Sequence, residues 1–418
     1  MRVYGGHFGA GALRRDDAAG TDGPMMGTGV ERVTVVRDGT TVLRDVTLSA
    51  DEGELLVVLG SSGSGKSTLL RVLAGLDRVS SGEVVIKGRR VTRLPPRERR
   101  VAMVFQSGAL FPFLDVARNL GWGLRVQHRP EAEVQERVGG RARQLRLSRL
   151  LSRRPGQLSG GERGLVGVGH ALVQTPDVFL LDEPLGDLDA VQRVEVRRQI
   201  VEVVRSLGVT TFYVTHDQAE GLAVADRVAV LHEGGVVQVG RPRELYERPV
   251  DLLVAAFIGD PPIGLLPARL VSGAGQGGFE VGSRTLPLWQ DVPPPLRNHV
   301  GREVVLGLRA EDVHGAEVAP DPDSVTLDAV VRDAAFTGRH NVVAMVVDAP
   351  GVAAPGGELS GSTVGATLHA FFPPRARFRP GDAVRIAVEA ARAHVFDAVT
   401  GRALWHPEQA AAEESPGS

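Results

Sequence analysis

The stretch Gly60-Ser61-Ser62-Gly63-Ser64-Gly65-Lys66-Ser67-Thr68 constrains this chain more than any other. It fits the pattern G-x-x-x-x-G-K-[ST] and directly follows the apolar run Leu55-Leu56-Val57-Val58-Leu59. A loop of this kind needs a strand before it and a helix after it. Its glycines let successive backbone N–H groups turn inward around phosphate oxygens. The helix predicted from Ser67 to Leu76 offers its positive N-terminus to the same anion. Lys66 is placed to reach β- and γ-phosphates, and the Ser67 hydroxyl to hold Mg²⁺. Of 48 Lys and Arg residues only Lys66 and Lys87 are lysine, so a compact point charge is kept where the pattern asks for one.

A chain of 418 residues can hold two or three domains. Its net charge of −2 leaves no electrostatic footprint for nucleic acid, so no such partner is expected. Having no cysteine, it can build neither disulfides nor thiolate metal sites. No apolar run approaches the ~18 residues of a bilayer span, so any membrane role must come through a partner, and a cytosolic chain is expected.

Residues 1–29 read as a disordered tail. From Val30 short apolar runs alternate with helical patterns, which predicts an α/β domain with a largely parallel sheet over 30–250. Within it, Arg-rich helical sequence at about 107–175 reads as a helical insertion. Val178 to Leu181 and Thr210 to Thr215 read as buried parallel strands. Over 251–406, Pro and Gly clusters separate short alternating strands, which predicts a small β-barrel or sandwich. The strand runs near 304–348 and 367–405 could form two related barrel halves. Residues 407–418 read as a second disordered tail.

The strand Val178 to Leu181 ends in Asp182-Glu183-Pro184. Asp182 is placed to hold Mg²⁺, directly or through water, and Glu183 to polarise an attacking water.

Further motifs follow in a fixed order: Met103-Val104-Phe105-Gln106, Leu158-Ser159-Gly160-Gly161-Glu162, Gly186-Asp187-Leu188-Asp189 and Val214-Thr215-His216-Asp217. With the phosphate loop and the Asp182-Glu183 pair, this ordered set resembles the ATP-binding cassette ATPases over about 30–250. The resemblance implies a RecA-like P-loop core with a helical subdomain, and ATP with Mg²⁺ bound by Gly60 to Thr68. It assigns Gln106 to the ATP and Mg²⁺ site and to its coupling with a transmembrane partner. Ser159, Gly160, Gly161 and Glu162 belong to a signature that clamps the γ-phosphate of ATP held by an opposing subunit. Asp189 would lie at the dimer seam. His216 would bond the γ-phosphate and orient Glu183, so that Glu183, His216 and Lys66 form the catalytic set. One phosphate loop per chain implies a homodimer.

Beyond the cassette, Gln238-Val239-Gly240-Arg241-Pro242, Phe257-Ile258-Gly259-Asp260-Pro261-Pro262, Gly307-Leu308-Arg309-Ala310-Glu311 and His394-Val395-Phe396-Asp397 resemble sugar-importer ATPases of the maltose type, with an OB-like regulatory barrel of the TOBE kind. This implies a subunit at the cytoplasmic membrane face, joined to transmembrane permease subunits and served indirectly by an extracytoplasmic solute-binding protein. Importers of polyamines, iron, sulfate or phosphonate share the architecture, and a regulatory cassette with little turnover is a further alternative.

Three places depart from the family pattern. Val35 to Gly39 lacks the aromatic residue that stacks on adenine, and Arg37 falls nearest that position, either as a substitute platform or as a solvated side chain. After the signature, Gly164, Gly167 and Gly169 fall in a predicted helix, at a cost of roughly 1 kcal/mol each, with Leu165 and His170 where arginines are common. That helix is expected to be softer and less basic, and hydrolysis slower. Gly186-Asp187 replaces the usual small pair, with a modest expected effect.

Overall fold

A computed structural model of the protein describes residues 27–105, 110–186, 188–273, 276–282, 284–287, 292–316, 325–349 and 366–407. Gln106, Asp187 and most of the two expected tails lie outside the described residues. The chain separates into two compact units, dividing between Pro242 and Arg243.

In the first unit, β1 (Thr28–Arg37) and β2 (Thr40–Ala50) form a hairpin. With β4 (Ser81–Ile86) and β5 (Arg89–Arg90) they make an antiparallel sheet in the order β2-β1-β4-β5. The second sheet joins β3 (Leu55–Leu59), β6 (Val101–Val104), β7 (Val178–Asp182), β8 (Thr210–Val214), β9 (Arg227–His232) and β10 (Gly235–Gly240), in the order β10-β9-β3-β8-β7-β6. Its pairs are parallel except β9 with β10. Every side chain of β3 and β8 is buried, as expected for strands covered on both faces.

Helix α1 (Lys66–Ala74) packs against β7 and β8 and touches β2. Leu69, Leu70 and Leu73 join Leu56, Val58 and Phe212 in one core with the hairpin residues Val33 and Leu43. Helices α2 (Val116–Val126), α3 (Glu131–Gln144) and α4 (Gly160–Leu172) form the helical insertion. Then come α5 (Ala190–Leu207) and α6 (Gln218–Val224).

Parallel pairing puts the carboxyl ends of β3, β8 and β7 on one sheet edge, where ligands of open α/β sheets bind. Val58 is level with Val214, and Val214 with Asp182. The phosphate loop, His216 and Glu183 therefore leave the sheet side by side.

Helix α7 (Pro242–Glu247) begins at the last residue of the first unit, and α8 (Leu252–Phe257) follows in the second. The second unit continues through β11 (Gly264–Gly273), β12 (Gln276–Val281), β13 (Arg284–Pro287), β14 (Glu303–Leu308), β15 (Val313–Gly315), β16 (Val325–Phe336), β17 (Asn341–Val347), β18 (Ala366–Phe372), β19 (Ala383–Val388), β20 (His394–Asp397) and β21 (Ala403–Trp405). Two antiparallel sheets result, β13-β12-β11-β14-β20-β21 and β15-β19-β16-β17-β18. Inward residues of both, among them Leu266, Leu306, Met345, Leu368 and Ile386, share one core. The two strand runs seen in the sequence do not map onto two halves: β14 pairs with β20 and β16 with β19, so each sheet draws on both runs.

Candidate active site

Glycines shape the phosphate loop. A Cβ on Gly60 would lie 2.2 Å from the Leu231 carbonyl oxygen, and one on Gly65 would lie 2.7 Å from Leu43 Cδ2. Gly63 and Gly65 also hold φ of 78° and 102°, a region that side chains disfavour. Lys66, only 6% exposed, donates to the carbonyl oxygens of Gly60 at 2.8 Å and Ser61 at 2.9 Å. Ser64 N donates to Ser61 O, while the buried Ser64 hydroxyl has no partner. Ser61 and Ser62 are exposed and Thr68 is buried. An unpartnered buried hydroxyl in a loop that starts a helix suits an anion with several oxygens.

The Ser67 hydroxyl donates to Asp182 Oδ1 at 2.9 Å. A hydroxyl and a carboxylate oxygen form a hard donor set that fits Mg²⁺. Burial pushes the Asp182 carboxyl up; the Ser67 hydrogen bond opposes this, the Glu183 charge adds to it, and Lys66 opposes it again. Burial also pulls Lys66 down, against the charges of Glu183 and Asp182. Lys66 and Asp182 thus each favour the charged form of the other.

Glu183 has a left-handed backbone with φ 47°, uncommon outside glycine, and its N–H donates to Val214 O at 3.0 Å. This bend lifts the side chain off the sheet edge towards His216, whose Nδ1 lies 3.2 Å from Glu183 Oε1. His216 is largely exposed and Glu183 largely covered. Backbone strain of this kind gathers at functional positions. Below them, Tyr213 donates a short hydrogen bond to Glu220, whose carboxyl burial pushes up.

The remaining expected residues sit elsewhere in the unit. Ser159 caps α4: its hydroxyl accepts from Glu162 N at 3.2 Å, and its own N–H donates to Glu162 Oε2 at 2.9 Å. This reciprocal pair satisfies two orphan donors and fixes the helix entry. Gly160 and Gly161 form the first turn, where a Cβ on Gly161 would lie 3.0 Å from Val196 Cγ2. Asp189 caps α5 by accepting from Gln192 N. Arg37 Nη2 lies 2.6 Å from Asp77 Oδ2, and Arg71 Nε bonds the same oxygen. Gln106 lies outside the described residues.

The glycines of α4 differ from one another. A Cβ on Gly169 would meet Leu120 Cδ2 at 2.8 Å and Leu145 Cδ1 at 3.0 Å, so Gly169 lets α2 approach closely. A Cβ on Gly164 would find only Pro184 O, 3.8 Å away. Leu165 is buried, and His170 Nδ1 lies 2.6 Å from Asn119 O, so neither stands as an exposed site lacking a positive charge.

Sequence reasoning missed Arg99 and Arg193. Buried Arg99 donates to Val72 O and Leu73 O at the end of α1, and to Thr92 O and Leu94 O. It closes the helix that starts at the phosphate loop, but within Arg97 to Arg100 it reads only as part of a solvated charge run. Arg193 donates to Asp217 Oδ2 at 3.2 Å and to Leu188 O at 3.0 Å.

Known proteins place this arrangement. The family profile described as ABC transporter matches residues 43–186. The sn-glycerol-3-phosphate import ATP-binding protein of Cereibacter sphaeroides is 42% identical over 88% of this chain and 96% of its own. The trehalose/maltose import ATP-binding protein of Thermococcus litoralis is 37% identical over 91% of this chain and all of its own. The trehalose import ATP-binding protein of Mycobacterium tuberculosis is 38% identical over 89% of this chain and 96% of its own. Among solved structures, cbiO1 of Clostridium perfringens, part of an ABC transporter complex, matches 52% of this chain and 90% of its own, with TM-score 0.50 and 29% identity.

Proposed function

The chain belongs to the ABC transporter family as an import-type ATP-binding subunit, a transport ATPase, and from that premise we propose that it energises uptake of a sugar or a sugar-like phosphate such as sn-glycerol 3-phosphate. The observation that carries the hydrolytic reading is the convergence of Lys66, Ser67, Asp182, Glu183 and His216 at the carboxyl edge of β3, β8 and β7.

The loop amides and Lys66 hold the β- and γ-phosphates of ATP. Ser67 and Asp182 would hold Mg²⁺, which when bound would supply positive charge to offset that of the phosphate oxygens. Glu183 Oε1 accepts the proton of the attacking water while His216 keeps that carboxylate aimed. Water oxygen bonds to the γ-phosphorus, the bond to the β-γ bridging oxygen breaks, and ADP and phosphate leave. Ser159, Gly160 and Gly161 close the site across a dimer, presented by a helix start that the Ser159–Glu162 pair fixes. Such contacts exist only in the closed dimer, so ATP favours closure and hydrolysis reopens it. Asp189 lies at that seam.

Import ATP-binding subunits work with membrane permeases. No helix among the described residues is long and apolar enough to cross a bilayer, which is consistent with docking to permease subunits at the cytoplasmic face. A solute-binding protein outside the membrane acts indirectly.

The test is uptake of labelled glycerol 3-phosphate, trehalose and maltose in cells lacking the chain, given back either the native form or Glu183→Gln. Rescue by the native form alone is expected. Uptake restored by Glu183→Gln would overturn the hydrolytic role, and loss of a solute outside this panel would overturn the substrate class.

A further inference from the structure

At the active edge, hydrogen bonds and chain turns link Glu183, Leu188, Arg193, Asp217 and His216 into a ring. Gly186 N donates to Glu183 O, and Leu188 N to Leu185 O, so two successive turns lead from Glu183 to Leu188. Leu188 O accepts from Arg193 Nη2, and Arg193 Nη1 donates to Asp217 Oδ2. The other oxygen of Asp217 accepts from Glu220 N and caps α6, while Asp217 N donates to Thr215 Oγ1. His216 lies between Thr215 and Asp217 and returns the ring to Glu183. Besides the His216–Glu183 contact, Arg193 ties Leu188, just before Asp189, to the loop that carries His216.

We infer that Arg193 is a positioning residue for hydrolysis: its guanidinium locks the Leu188-Asp189 loop to Asp217 and so holds His216 against Glu183. This rests on the hydrolytic reading above. A planar fork with fixed donor directions can hold a carbonyl and a carboxylate at once, which a single ammonium cannot reproduce. The pair is not an ordinary surface bridge, because Arg193 and Asp217 are about one-third exposed or less, and Arg193 Nε is fully covered. Movement of the Leu188-Asp189 loop, next to the dimer seam, is thereby conveyed to the groups that activate water. The hydrogen bonds of Arg193 among the described residues go to Leu188 and Asp217 and not to the phosphate loop, so its loss should act on turnover rather than on nucleotide binding.

The experiment uses the full chain and measures ATP turnover, KM for ATP, affinity for a fluorescent ADP analogue and thermal unfolding. Arg193→Ala is expected to lower kcat by roughly ten- to a hundred-fold, as small misplacements of catalytic groups do, with KM and ADP affinity within about twofold. Arg193→Lys should not restore kcat. Asp217→Asn, which keeps the cap on α6, should lose a similar amount, and the double variant no more than either single one. Arg198→Ala, on the same helix in an exposed pair with Glu195, should turn over normally. Unchanged kcat in Arg193→Ala, losses that add in the double variant, or full rescue by lysine would each overturn the inference. If Arg193→Ala does not fold, Asp217→Asn carries the test, and normal kcat there overturns it. Turnover retained by Glu183→Gln would instead remove the hydrolytic reading, whatever Arg193 does.

Discussion

The Ser67 hydroxyl and the Asp182 carboxylate, 115 residues apart in the chain, meet at 2.9 Å across the carboxyl edge of the sheet. One hard oxygen from each motif is thereby set side by side for one small cation. Since burial holds the Asp182 carboxyl above its ordinary range, a proton competes with Mg²⁺ at higher pH than it would for a free aspartate. The sign follows: the Mg²⁺ concentration for half-maximal ATP turnover rises as pH falls through that raised value. Asp182→Asn should raise it by at least roughly tenfold at neutral pH, since even outer-shell changes cost that much in metal sites. A Mg²⁺ titration that does not move in the variant would take Asp182 out of the cation site.

Arg37 is held by Asp77, which also holds Arg71, so its guanidinium is steered rather than free. As an adenine platform it would contribute about 0.5–1 kcal/mol. Arg37→Ala should then raise KM for ATP by roughly two- to fivefold. Arg37→Tyr should restore it. Equal KM in the native and alanine forms would end the stacking idea.

Gly164→Ala and Gly169→Ala should shift stability in opposite directions. The first meets only an ordinary contact with Pro184 O and gains up to about 1 kcal/mol of helix propensity. The second gains the same but forces Leu120 and Leu145 aside, at about 1–3 kcal/mol. Thermal unfolding of both variants checks this, and a higher Tm for Gly169→Ala would show that α2 and α4 have slack.

Burial, with Glu311 and Glu389 nearby, pushes the Asp312 carboxyl up to about 7 against the opposing charges of Arg392 and Arg309. His314 also faces this group through Glu389. Between the ordinary aspartate range and about 7, the folded chain keeps a proton that the unfolded chain has lost. This site's contribution to stability therefore falls as pH rises through that window. Asp312→Asn removes the penalty, so it should raise Tm at pH above that value and change it little in mild acid. A uniform shift across pH would refute the assignment.

The phosphate loop and the Asp182-Glu183 pair could be read directly, because each is a short run whose geometry is set by its own residues. Arg99 and Arg193 could not. In a chain with arginines spread throughout, nothing local separates a buried guanidinium from a solvated one, and the two acceptors of Arg99 on α1 lie 26 and 27 residues upstream. Leu165 stands where arginines are common, and its place on α4 buries it, which its position in the sequence alone does not disclose. In the second unit the strands were visible but their sheets were not, because β14 finds β20 across five intervening strands that alternation cannot order.

Lys66 is usually considered for its charge, yet two of its three ammonium donors close the loop on itself through Gly60 O and Ser61 O. The side chain is therefore also a clasp that gives the loop its curvature. A neutral replacement at this position would lose shape and charge together, so weakened nucleotide binding in such a variant could not be credited to electrostatics alone. The cleaner probe of the anion cradle is Ser64→Ala, which removes one uncommitted hydroxyl and leaves the clasp shut.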